Sequence, residues 1–142
     1  MPSDRAATHA LLLVRACHPE PTVAVTAVTA LLAWGAGTGF DRGLLVTAAV
    51  FTGQLSIGWS NDLVDARRDR AVGRADKPLV TGALSESVVV AAVVAALVGC
   101  VVLSLLCGVA SGLTHLLLGV GSGWAYNLVA KRTPLSWVPY AL

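Results

Sequence analysis

Charge is what this sequence has least of. Only 13% of its side chains are Asp, Glu, Lys or Arg while 56% are apolar, a balance too oily for a soluble domain of 142 residues. No charged side chain occurs from Pro21 to Phe40, from Gly43 to Asn61, or from Ser87 to Ala130. A helix crosses the hydrocarbon layer in about 20 residues at about 1.5 Å each, so the first two runs hold one span apiece and the third holds two. The fold class expected is therefore all-α: a multi-pass transmembrane helical bundle with spans at about 22–39, 44–60, 87–106 and 110–129.

Other absences narrow the field further. The three cysteines, Cys17, Cys100 and Cys107, form no CxxC pair and no even set, which excludes a disulfide framework. Cys100 and Cys107 read as small packing residues on one helix face. The basic residues are not interleaved with aromatics, so nucleic acid is not a partner. No signal peptide is evident: the apolar stretch "ATHALLLV" is short and leads into Arg15, His18 and Pro19, not a small-residue cleavage site. Residues 6–17 suit an amphipathic helix lying on the membrane surface. No internal repeat is visible, and no acidic residue follows Glu86.

The charge that is present is placed unevenly. Arg5 and Arg15 precede the first apolar run, Arg67, Arg68, Arg70, Arg74 and Lys77 follow the second, and Lys131 and Arg132 follow the last. Only Arg42 falls on the other side. By the positive-inside rule both termini and the charged loop are expected on the cytoplasmic side of the cell membrane. Small residues four apart (Gly35 and Gly39, Gly108 and Gly112, Gly119 and Gly123) are expected to let helices approach closely. Trp59 and Trp137 are expected at the headgroups, and Gln54 and His115 in hydrogen bonds between helices. His9 and His18 have ligand spacing to nothing.

The most informative stretch is "NDLVDARRDRAVGRADKPL", Asn61 to Leu79. Nothing from Phe51 to Ala71 breaks a helix except Gly53 and Gly58, so the acids begin on a helix end. At about 100° per residue, Asp62, Asp65 and Asp69 fall within an arc of about 60°, with Asn61 at its edge. Like charges so placed at a membrane boundary call for a cation. Oxygen-only ligands point to a hard ion, Mg²⁺, which is usually held by one or two carboxylates together with substrate phosphates. Asp62 and Asp69 are about 10 Å apart along the axis, too far for one ion to bridge. Arg68, Arg70, Arg74 and Lys77 are donors for an extended anion such as a diphosphate. The competing reading is a solvated helix end in which Asp65 pairs with Arg68, and Asp69 with Arg70.

With its asparagine, three aspartates and a basic residue before proline, "NDLVDARRD" followed by "RADKPLVTG" resembles the first aspartate-rich motif and adjoining loop of the UbiA superfamily of intramembrane prenyltransferases. "LLLVRACHPEPTVAV" is similar to the amphipathic approach to that family's first helix, and "YNLVAKRTPLSWVPYAL" to the end of its fourth. The resemblance implies a UbiA-type bundle that binds an isoprenyl diphosphate through Mg²⁺ and transfers its prenyl group to an aromatic or other lipophilic acceptor in the bilayer. By position it implies that Asn61, Asp62, Asp65 and Asp69 hold metal and diphosphate, and that Lys77, with Arg68 and Arg74, binds phosphate. Tyr126 and Lys131 join the substrate-binding set, five positions apart where many members have four.

The family has a second aspartate motif in its later half, and residues 1–142 match only the N-terminal part. A second half, supplied by a longer chain or a second polypeptide, is expected to complete the site; the alternative is an inactive truncated paralogue. A different enzyme class, the CDP-alcohol phosphotransferases, shares Asp62, Ala66 and Arg67 with its opening motif. Leu63 replaces that motif's glycine, however, and no GxxxDxxxD follows.

Overall fold

The structure is a computed structural model and describes residues 2–141. Every regular element among the described residues is helical. Helix α1 (Pro2–Ala16) leads through an elbow at Cys17 and His18 into α2 (Pro19–Gly35), which starts on a proline whose missing N–H costs nothing at that position. A turn follows in which Gly37 and Gly39 take positive φ, ending α2 four residues short of the expected Gly39.

Helix α3 (Phe40–Ala71) runs unbroken through the apolar segment into the charged stretch. The short α4 (Pro78–Thr81) begins on Pro78, immediately after Lys77. Helix α5 (Glu86–Leu106) begins at Ser85, whose hydroxyl accepts from the Val88 N–H. A last rod contains α6 (Val109–Thr114), a π-helical segment (His115–Val120) and α7 (Gly121–Leu128), with helical φ and ψ at both junctions.

Two of these helices, α3 and α5, are long and apolar enough to cross a membrane. Helix α2, with 17 residues, falls just below that length, and the last rod is divided by its π-helical segment.

α3 is the axis of the bundle, flanked by α2, α5 and α7. It runs antiparallel to α5. At one end Arg42 donates to the Cys107 carbonyl at 3.1 Å, and at the other Arg70 pairs with Glu86 at 2.6 Å. Buried Ala16, Leu79, Leu84, Val89 and Val93 form a core at the charged end, joined by Leu13, Trp59 and Trp124. This core seats α1, α4 and α5 around the end of α3, and so positions the loop that carries Lys77. Trp59 belongs to it, and its indole N–H donates to the Leu13 carbonyl at 2.8 Å. Outward faces remain apolar, with Val23, Val28, Leu31 and Leu32 on α2 and Val94, Val98 and Val102 on α5 exposed.

The glycine pairs act unequally. A Cβ at Gly112 would overlap the Ser104 carbonyl, and one at Gly123 would lie 2.6 Å from Ile57 Cδ1. Gly35 and Gly39 have nothing within 4 Å and mediate no close approach among the described residues. His115 bonds between helices, its Nδ1 lying 2.9 Å from Ser104 Oγ.

Candidate functional site

Asn61, Asp62, Asp65 and Asp69 lie along the last turns of α3, and two lysines from elsewhere meet them. Lys77, fixed by Pro78 and the core beneath α4, places Nζ 2.6 Å from Asp62 Oδ1 and 3.0 Å from Asp69 Oδ2. Lys131, in the 3-10 turn Ala130–Arg132 after α7, places Nζ 2.8 Å from Asp65 Oδ2 and donates to Asn61 Oδ1 at 2.9 Å. Arg132 stands farther off, 3.8 Å from Asp65 Oδ1. Burial alone would lower the Lys77 pKa, but the Asp62 and Asp69 carboxylates beside it outweigh that and hold it above the usual lysine value.

These contacts are not the ones the solvated-helix-end reading called for. Asp65 meets Lys131, not Arg68, and Asp69 meets Lys77, not Arg70. Arg74 makes a two-pronged pair with Asp76 at 2.9 Å, fully on the surface, and Arg68 is exposed. Neither arginine joins the row. The axial separation of Asp62 and Asp69 is also overcome: their side chains lean together until one ammonium nitrogen lies within 3.0 Å of both.

Sequence reasoning missed one member. His18 Nε2 lies 3.0 Å from Asp62 Oδ1 and 3.2 Å from Asn61 Nδ2. Its only sequence signal is the "HPEP" elbow, which says that the chain turns but not what it turns toward.

Beside the row opens a pocket of about 620 Å³. Asn61, Asp65, Lys131 and His18 line one end, and Val25, Ile57, Gln54 and Gly119 line the remainder, with Tyr126 also on the wall. A second pocket at the opposite end of α2 and α3, around Trp34 and Phe40, carries no charged side chain.

Asp65 Oδ1 and Asp69 Oδ2 are buried without a hydrogen-bond partner; the Lys77 contact to Asp69 is close enough for an ion pair but lacks hydrogen-bond geometry. Buried carboxylate oxygens with unused lone pairs are costly. They suit a hard cation, and the Lys77 ammonium already shows that positive charge is stabilised between Asp62 and Asp69. Among the described residues no three His, Cys, Asp or Glu side chains converge closely enough to hold a metal by themselves.

No curated protein and no solved structure matches the chain. A family model does: that of the UbiA prenyltransferase family, over residues 22–141.

Proposed function

The chain belongs to the UbiA prenyltransferase family, and from that premise we propose that it forms the first part of an enzyme that transfers a prenyl group from an isoprenyl diphosphate to a lipophilic acceptor, with Mg²⁺. One observation carries this reading: Asn61, Asp65 and Lys131, part of a row of acids countered by two lysines, line one end of a pocket whose remainder is largely apolar. A diphosphate joined to an isoprenoid tail has the same division.

We place the chain in the cell membrane as four crossings, α2, the apolar part of α3, α5 and the α6–α7 rod, with the site and both termini cytoplasmic. The exposed valines and leucines of α2 and α5 support lipid contact, since water-facing surfaces rarely carry such contiguous apolar area.

Asp62, Asp65 and Asp69, with Asn61 beside them, would hold the metal. When bound, Mg²⁺ supplies neutralisation of the negative charge that grows on the departing diphosphate. The chain's own residues do the rest. Lys77 and Lys131, which balance the acids here, are free to redirect their N–H groups to phosphate oxygens as those oxygens arrive. Val25, Pro21 and Ile57 keep water from the tail and from the allylic carbon, which strengthens each charge interaction at the head. Tyr126, on the same wall, faces the space where an acceptor would meet the donor.

The test uses membranes containing this chain together with any frame that continues or adjoins it. They should consume prenyl diphosphate only when Mg²⁺ is supplied, and Asp62→Ala and Asp65→Ala should each abolish that consumption. Undiminished turnover in both variants would remove the metal assignment, and absence of turnover in every combination would favour an inactive paralogue.

A further inference from the structure

The elbow between α1 and α2 supplies no carboxylate to the row, yet two contacts bind it and the adjoining end of α1 to α3 beside that row, and a third braces it on α2. Trp59 donates to the Leu13 carbonyl at 2.8 Å. Thr22 Oγ1 donates to the Cys17 carbonyl at 3.1 Å. Gly58 brings its backbone so close to the same carbonyl that a Cβ would overlap it. The next residue, His18, is the one non-glycine among the described residues with positive φ, at 55°. A side chain in that conformation costs free energy and persists only where its surroundings impose it. His18 also sits at the N-cap of α2 without capping it. Its imidazole points to Asp62 instead.

Nε2 faces both an acceptor, Asp62 Oδ1, and a donor, Asn61 Nδ2, and can satisfy only one. Lys131 fixes the Asn61 amide by donating to its oxygen, so the amide nitrogen cannot turn away. A charged acceptor makes the stronger bond, so Nε2–H donates to Asp62. Asp62 Oδ1 therefore has two partners, Lys77 and His18. The two partners differ in one respect. Lys77 reaches Asp62 on a four-carbon stem whose ammonium can swing to a phosphate, whereas the backbone of His18 is held by the elbow.

Resting on the assignment of the row to a cation and diphosphate, we propose that His18 is a positioning residue: it holds Asp62 Oδ1 when Lys77 turns to phosphate, so that Oδ2 stays aimed for the cation. Removing such a partner behind a ligating carboxylate weakens metal binding by about 10- to 100-fold.

The test measures Mn²⁺ binding by electron paramagnetic resonance, with inorganic diphosphate present, on the full chain in lipid nanodiscs. His18→Gly relieves the backbone and removes only the imidazole. It should weaken Mn²⁺ binding about tenfold or more without lowering the melting temperature. His18→Asn tolerates the same φ but stops near the position of Nδ1, and should fail likewise. His18→Gln, whose amide nitrogen reaches the position of Nε2, should recover most of the affinity. Wild-type binding in His18→Gly, alongside loss in Asp62→Ala, overturns the role of His18. Wild-type binding in Asp62→Ala overturns the metal assignment itself. Weak binding in all three His18 variants, glutamine included, assigns the imidazole a role other than donating to Asp62.

Discussion

Lys131 Nζ stands 2.8 Å from Asp65 Oδ2, and through this contact the segment beyond α7 is tied to the end of α3. Both side chains are mostly buried, at 10% and 17% exposure. Lys131→Met would leave Asp65 without its close cation, and should destabilise the bundle by roughly 2–3 kcal/mol, less than a fully buried pair because some solvent reaches Asp65. Thermal unfolding in detergent reads this. Adding Asp65→Asn should recover much of the loss, because an amide carries no charge to compensate. Equal melting temperatures for Lys131→Met and wild type would mean that the pair contributes nothing.

Gly58→Ala should dislodge the elbow. The obstacle is the Cys17 carbonyl, which is backbone and cannot swing aside. A cost of about 1–3 kcal/mol is expected for forcing a methyl into such a contact. Limited proteolysis near residues 15–20 should accelerate in the variant, and an unchanged cleavage rate would count against the tight docking.

Gly123→Ala meets a softer obstacle, the end of the Ile57 side chain. It should cost about 1 kcal/mol or a little more, and Ile57→Val in the same chain should return part of it by withdrawing the methyl in the way. Additive losses in the double variant would show that the two residues do not press on each other.

Arg74 holds the Asp76 carboxyl down at about 2, against a usual 3.8. A folded-state pKa that is lowered means the pair's contribution is present above 3.8 and disappears as pH falls through about 2. Carboxyl carbon NMR should follow Asp76 titrating in that lower window, moving toward 3.8 in Arg74→Gln. Both groups lie on the surface, so the melting temperature should not change measurably. An Asp76 titration unaffected by Arg74→Gln would deny the pairing.

Much of the architecture was legible because it rests on local patterns. The charge-free runs marked the apolar helices, and the lack of breakers between Phe51 and Ala71 led to one helix carrying apolar and acidic parts together, as α3 does. The helical period put Asp62, Asp65 and Asp69 on one face. Expectations drawn from local sequence failed where a partner came from far away. Arg70 is near the acids in sequence but pairs with Glu86, and Arg68 is exposed.

The sequence by itself determined which residues are apolar, roughly where the long helices lie, and that one helix end carries a file of acids; these follow from composition and a period of about 3.6 residues per turn. Only the tertiary structure decided which cation meets which acid. Lys77 and His18 reach Asp62 from 15 and 44 residues away, and Lys131 reaches Asn61 from 70. Ion pairing falls steeply with distance and depends on burial. The partners were therefore chosen by the core that seats α4 and by the close contacts that dock the elbow on α3, not by nearness along the chain.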